Sequence, residues 1–159
     1  MMTNEKFQVY ENVTALMPEG FHLMSEQELA EHMPGNDPTR VGLFDPDRYI
    51  IMSFCQKKVG FFANAMADRK AARKRLETDF KKYNPSAVMD GDYDVQADGK
   101  PRYGFRYHYH TKDRDYETTS LSFLQDRTYM VLSITGYAED KEETDRVREA
   151  FTGSIHFEK

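Results

Sequence analysis

His108 and His110 stand two residues apart, so on any strand that carries them both imidazoles project from one face, as a two-histidine metal site requires. Such a site needs a third ligand, and no spacing in the chain nominates one. Asp90-Gly91-Asp92-Tyr93-Asp94 opens like a calcium loop, which wants oxygen ligands at positions 1, 3 and 5, Gly at 6 and Glu at 12. Val95 and Pro101 occupy the last two of those positions. Cross-strand pairing of the aspartates with Arg106 and His108 is the simpler account, so neither metal nor cofactor is expected.

Around the histidines, a period-two reading gathers Arg106, Thr118, Ser120, Ser122, Ser133 and Thr135 on the same face. One guanidinium, two imidazoles and a floor of hydroxyls could hold a small ligand, with Arg106, His108, His110, Ser120 and Ser133 as its candidate contacts. A Ser/His/Asp hydrolase could be drawn from the same set. The chain lacks the strand-turn-helix Gly-x-Ser-x-Gly elbow, however, and serines in flat strands aim no oxyanion donors at a substrate. No catalytic residue is nominated. The run from Arg69 to Arg75 carries Arg69, Lys70, Arg73, Lys74 and Arg75, and Arg69, Arg73 and Lys74 are candidates for docking an acidic partner protein. The chain carries a net charge of −5, which argues against nucleic-acid binding as the reason for this run.

The elements that must position these groups are legible in outline. Residues 7–17 and 21–24 read as two short strands around the turn Pro18-Glu19-Gly20. Ser25 with Glu28 forms a capping box that opens a helix over Glu26 to Met33. Strands over Val41–Phe44 and Tyr49–Gln56 flank Asp45-Pro46-Asp47, and the second is apolar on both faces, like a strand within a sheet. A main helix follows Asp68, with Ala72, Leu76, Phe80 and Tyr83 along one stripe and Pro85 ending it. An acidic helix over about Asp140 to Phe151 points Val147, Ala150 and Phe151 inward, and Ser154–Phe157 ends the chain as a strand.

Residues 86–137 form a meander whose registers follow from matching apolar residues across each turn. A three-residue loop Asp98-Gly99-Lys100 would pair Val95 with Tyr103 and Tyr93 with Phe105, whereas a two-residue turn sets Val95 against Arg102. A second three-residue loop, Lys112-Asp113-Arg114, would pair Tyr107 with Thr119. A tight turn at Asp126-Arg127 places Phe123 against Met130 and Leu121 against Leu132. Tyr103, Tyr107 and Tyr109 then fall on the apolar face and read as core.

One α+β domain over residues 1–159 is the economical organisation, a central antiparallel sheet with helices packed on its faces in an α/β/α sandwich. Cys55 is the sole cysteine, so no intrachain disulfide forms, and its apolar neighbours suggest a buried small side chain. The polar start lacks the apolar stretch of a secretory signal and no apolar run is long enough to span a bilayer, so a cytoplasmic protein without a membrane partner is expected.

Val13-Thr14-Ala15-Leu16-Met17-Pro18-Glu19-Gly20-Phe21 before the Ser25 helix, and the ending Phe151-Thr152-Gly153-Ser154-Ile155-His156-Phe157, resemble the PsbP-like fold family of Mog, PsbP and DcrB-type proteins. The resemblance implies a central antiparallel sheet with helices on both faces and a non-enzymatic, protein-binding or accessory role. No binding residue of that family can be matched to a position here.

Overall fold

The computed structural model describes residues 2–33, 35, 37–58, 74, 77, 78, 81, 82, 85–111, 114–125 and 128–158. Strand β1 (Met2–Tyr10) and strand β2 (Val13–Pro18) pair as an antiparallel hairpin. The sequence reading of 7–17 as one strand is thus corrected. The chain reverses at Glu11-Asn12, where the Gln8 side chain donates to the carbonyls of Tyr10 and Glu11 at 2.7 and 2.8 Å. Strand β3 (His22–Leu23) precedes helix α1 (Glu26–His32), whose capping box forms as expected, Glu28 N–H donating to Ser25 Oγ and Ser25 N–H to Glu28 Oε1.

Strands β4 (Val41–Asp45) and β5 (Ile50–Lys58) lead, through the helical residues Lys74, Glu77, Thr78, Lys81 and Lys82, to the meander. The apolar stripe expected at Ala72, Leu76, Phe80 and Tyr83, and the cap at Asp68, lie outside the described residues. Strands β6 (Val88–Ala97), β7 (Lys100–Thr111), β8 (Arg114–Gln125) and β9 (Thr128–Tyr137) follow. After a short 3-10 turn over Ala138–Asp140 come helix α2 (Lys141–Ser154) and strand β10 (His156–Phe157).

The seven-stranded antiparallel sheet has the order β3-β4-β5-β9-β8-β7-β6, and a smaller sheet has the order β1-β2-β10. α2 packs on one face of the large sheet, with Phe151 against Phe54 at a ring distance of 5.8 Å. There Leu43, Met52, Phe123, Met130, Leu132 and Ile134 are all at or below 1% exposure, in one core with Val9, Val13 and Phe157 of the smaller sheet. The buried positions of α2 are Thr144, Val147, Arg148, Phe151 and Thr152, an i, i+3, i+4, i+7, i+8 stripe. Ala150, expected inward, falls off that stripe and is exposed. α1 lies toward the opposite face: Met24 and Met33 at its ends close over Gly42, and the His32 ring is 4.7 Å from that of Phe44.

Two of the three meander registers differ from expectation by one residue. Asp98 and Gly99 both have positive φ, 53° and 76°, and close a two-residue turn, so Val95 pairs with Arg102 and Asp94 with Tyr103. An Asp-Gly pair in this left-handed geometry fits the right-handed twist of the strands, which outweighs the apolar match that the longer loop would give. An irregularity between Met89 and Gly91 then sets Met89 against Tyr107. At the next turn Thr111 pairs with Arg114, so Tyr107 meets Thr118 and Phe105 meets Ser120. The third register forms as expected, Phe123 with Met130 and Leu121 with Leu132. Cys55 is half-buried rather than buried.

Candidate functional site

A slip of one residue moves every side chain of a strand to the other face of its partner. Arg106 pairs with Thr119 and Gly91, on the α2 side, whereas Ser120 and Ser133 pair with each other and with Phe105 on the opposite side. His108 and His110 alternate with Tyr107 and Tyr109 and so share the Arg106 face. The polar floor expected around His108 is therefore divided between two faces, and no serine of β8 or β9 lies on the side of either histidine.

On the α2 side two guanidiniums lie by the ring of Tyr93, Arg106 at 4.9 Å and Arg148 at 4.8 Å from its centroid. Arg148 is 2% exposed and binds Asp145 at 2.5 Å, while Arg106 reaches the same carboxylate at 3.7 Å. Burial alone would lower the Arg148 guanidinium, but Asp145 and the Tyr93 hydroxyl outweigh it and hold it above its ordinary value. A recess between α2 and the sheet is lined by Arg106, Glu117, Thr119, Lys141 and Thr144 among others. Arg106 Nε is buried there with no hydrogen-bond partner among the described residues. Beyond the recess, His108 pairs with Asp90 and His110 with Asp115, each at 2.7 Å and exposed. The Asp90–His108 contact is the expected one. Among the described residues no group of three His, Cys, Asp or Glu side chains could hold a metal ion.

On the opposite side the hydroxyls satisfy one another. Ser120 and Ser133 are 2.8 Å apart, Thr118 and Thr135 2.7 Å, and Ser122 donates to the Tyr103 carbonyl. Tyr107 lies buried among them, and burial raises its phenol to about 12 despite the hydroxyls of Ser120 and Thr118. Polar atoms consumed in this way hold a register rather than a ligand.

At the end of the same face the structure assembles a cluster that the sequence reading did not single out. Tyr137, Tyr116 and Tyr109 stand directly opposite one another across β9, β8 and β7. Their rings meet in series, Tyr109 stacked on Tyr116 at 5.3 Å and Tyr116 tilted against Tyr137 at 5.4 Å and 41°. Tyr49, from the β4–β5 turn, adds a fourth ring parallel to Tyr137 at 5.1 Å and 10°. Its φ of 55° is a left-handed conformation that a bulky side chain rarely adopts. All four tyrosines are half-buried. Burial, followed by the neighbouring phenols, raises Tyr49 and Tyr109 above their ordinary values. The guanidinium of Arg114 sits 3.8 Å from the Tyr137 centroid and binds Glu139 at 3.0 Å. The register expected for β8 and β9 already aligned Tyr116 with Tyr137. Nothing local announced that Tyr49 would join them.

Of the residues read as a basic docking surface, Lys74 is helical and exposed, whereas Arg69 and Arg73 lie outside the described residues. No helix among the described residues is long and apolar enough to cross a membrane.

An antiparallel seven-stranded sheet with α1 and α2 toward its two faces, and a small sheet sharing its core, defines an α+β protein of the PsbP/Mog-like fold. The Ran-binding protein Mog1p of Saccharomyces cerevisiae is similar over 99% of this chain and 96% of its own, with a TM-score of 0.64 at 12% identity. Cyanobacterial PsbP of Synechocystis sp. PCC 6803 is similar over 92% of this chain and 86% of its own, with a TM-score of 0.62 at 13% identity. A crystal structure from Bacteroides thetaiotaomicron VPI-5482 matches 92% of this chain with a TM-score of 0.57 at 13% identity, and there the chain spans 45% of the other's length. No family model and no curated protein sequence matches the chain.

Proposed function

We propose that this chain is a protein-binding accessory domain without a reaction centre of its own, and that the Tyr49/Tyr109/Tyr116/Tyr137 cluster with Arg114 is its contact surface. The observation that carries this reading is the half-exposed stack itself. Tyrosine and arginine are enriched where interfaces concentrate their binding energy, tyrosine because it buries a large area at low conformational-entropy cost and arginine because its planar guanidinium both stacks and donates several hydrogen bonds. Tyr49 supports it further, since a strained backbone retained at a surface ring is a common mark of a functional site. The separation of His108 from Ser120 and Ser133, and the internal pairing of those hydroxyls, argue against acyl-transfer chemistry in the sheet. The likeness in fold to a Ran-binding protein is in keeping with a protein partner. The test is crosslinking and affinity capture, followed by rebinding of the purified partner to the wild type and to Tyr137→Ser. A saturable complex weakened tenfold or more by the substitution supports the proposal. Substrate turnover by the purified chain in a broad panel, with no partner that rebinds, overturns it.

A second reading is favoured by one atom. The buried Nε of Arg106 has no hydrogen-bond partner among the described residues, and Arg106 lines a recess together with Lys141 and Thr119, a setting suited to a small oxyanion. Thermal-shift measurements with phosphate, sulfate and small carboxylates test it. A stabilisation that grows with anion concentration and vanishes in Arg106→Gln supports it, and no shift beyond ionic-strength controls removes it.

A further inference from the structure

We infer that the tyrosine cluster docks an arginine-bearing segment of its protein partner, and that Arg114 is a resident cation which the incoming arginine displaces. The inference rests on the accessory reading above and names the chemistry of the partner.

The face of a tyrosine ring carries negative charge density and attracts a guanidinium. Tyr137 is already used in this way, with Arg114 stacked over the ring and Glu139 as its carboxylate. Tyr93 repeats the arrangement within the fold, its ring beside Arg106 and Arg148 and Asp145 as the shared carboxylate. The cluster is therefore a surface whose demonstrated ligand chemistry is guanidinium on phenol with an acid alongside. Arg114 is 47% exposed and Glu139 66% exposed, so their pairing is screened by water and easily given up.

The rim fits the same occupant. Glu139 and Asp140 lie two and three residues after Tyr137 and are exposed. At the other end, Glu31 lies beside His32, whose ring is 6.1 Å from that of Tyr49. The net charge of −5 adds a long-range attraction for a basic segment. The bases of a single-stranded nucleic acid would stack equally well on tyrosine faces, but the same carboxylates repel its phosphates.

The experiment titrates the full-length protein, its tyrosines isotopically labelled, with capped Gly-Arg-Arg-Gly, the matching Glu-Glu peptide and a thymidine oligonucleotide. Saturable shifts of the Tyr49, Tyr116 and Tyr137 resonances are expected with the arginine peptide and none with the glutamate peptide. Arg114→Ala removes the competitor and tightens the arginine peptide by about two- to fivefold, the reach of one exposed cation–π contact. Tyr137→Leu abolishes the response, and Tyr137→Phe, which keeps the ring and the packing, retains it. Absence of a saturable shift, an equal response to the glutamate peptide, preference for the oligonucleotide, or unchanged or weaker binding in Arg114→Ala would each overturn the inference. A purified partner that binds through Tyr137 yet is not displaced by the arginine peptide refutes the arginine assignment while leaving the accessory reading intact.

Discussion

Arg102 stands directly opposite Val95 in the β6–β7 hairpin and is 3% exposed, its guanidinium 5.0 Å from the ring centroid of Phe123 and 5.2 Å from that of Phe157. It donates to the carbonyls of Ala97 and Leu124, and burial lowers it below its ordinary value. A cation is here part of the core between the two sheets. Arg102→Ala leaves a cavity between Phe123 and Phe157 and is expected to cost about 2–4 kcal/mol in chemical denaturation. Arg102→Met keeps the stem packing and removes a buried charge, so it costs less than the alanine variant. Equal losses for the two would show that the charge, not the packing, matters there.

Gly136 on β9 admits α2 to the sheet. A Cβ at this position would sit 2.5 Å from Thr144 Oγ1 and 3.1 Å from Thr144 Cγ2. Gly136→Ala is expected to destabilise by about 1–3 kcal/mol. Thr144→Ala removes both crowded atoms, so the double variant loses less than the two single losses combined. Additive losses measured by urea unfolding would refute this account of the contact.

Ser120 and Ser133 are structural partners. Ser120→Ala strands a hydroxyl and is expected to cost about 1–2 kcal/mol, whereas replacing both residues by alanine costs less than the two single variants combined. The check is a double-mutant cycle on unfolding free energy. A zero coupling energy would mean that the 2.8 Å contact contributes nothing to the sheet.

Asp98 ties the tip of the β6–β7 hairpin to β10, accepting from the Phe157 N–H at 3.1 Å and from His156 at 3.0 Å. Burial pushes its carboxyl up, but these two bonds and the charge of Arg102 prevail and hold it below the ordinary 3.8. A carboxyl depressed in the folded state favours folding above its unfolded value, and that contribution is lost as pH falls through the folded value. The stability difference between wild type and Asp98→Asn thus shrinks as pH falls below 3.8. Asparagine also tolerates the left-handed turn, so the variant isolates the charge. Thermal melts from pH 7 down to 3 test this, and a difference that widens on acidification contradicts it.

Elements whose causes are local were legible in the sequence. The Ser25/Glu28 box started α1, period-two alternation marked β6 to β9, and the register between β8 and β9 was read correctly. The order of elements, together with the two short stretches at 13–21 and 151–157, pointed to the fold. Matching apolar residues across turns failed at the first hairpin for a physical reason: the core on the α2 side contains the buried cation Arg102 opposite Val95, which a rule that expels charge cannot place. The hairpin within 7–17 was hidden likewise, because Phe7, Val9 and Tyr10 at the end of β1 run on into the apolar β2 with only the Glu11-Asn12 reversal between them.

The composition, the alternation and the turn chemistry of this chain determine by themselves that it makes an antiparallel α+β sheet and nominate the residues that line its strands. Tertiary structure alone decided which of those residues share a face, because a side-chain period of two turns a single-residue change of register into an exchange of faces. It parted Arg106 and His108 from Ser120 and Ser133. Through the left-handed turn at Tyr49 it also brought a ring from the β4–β5 turn onto Tyr137, more than eighty residues away, and so built the surface on which the proposed function rests.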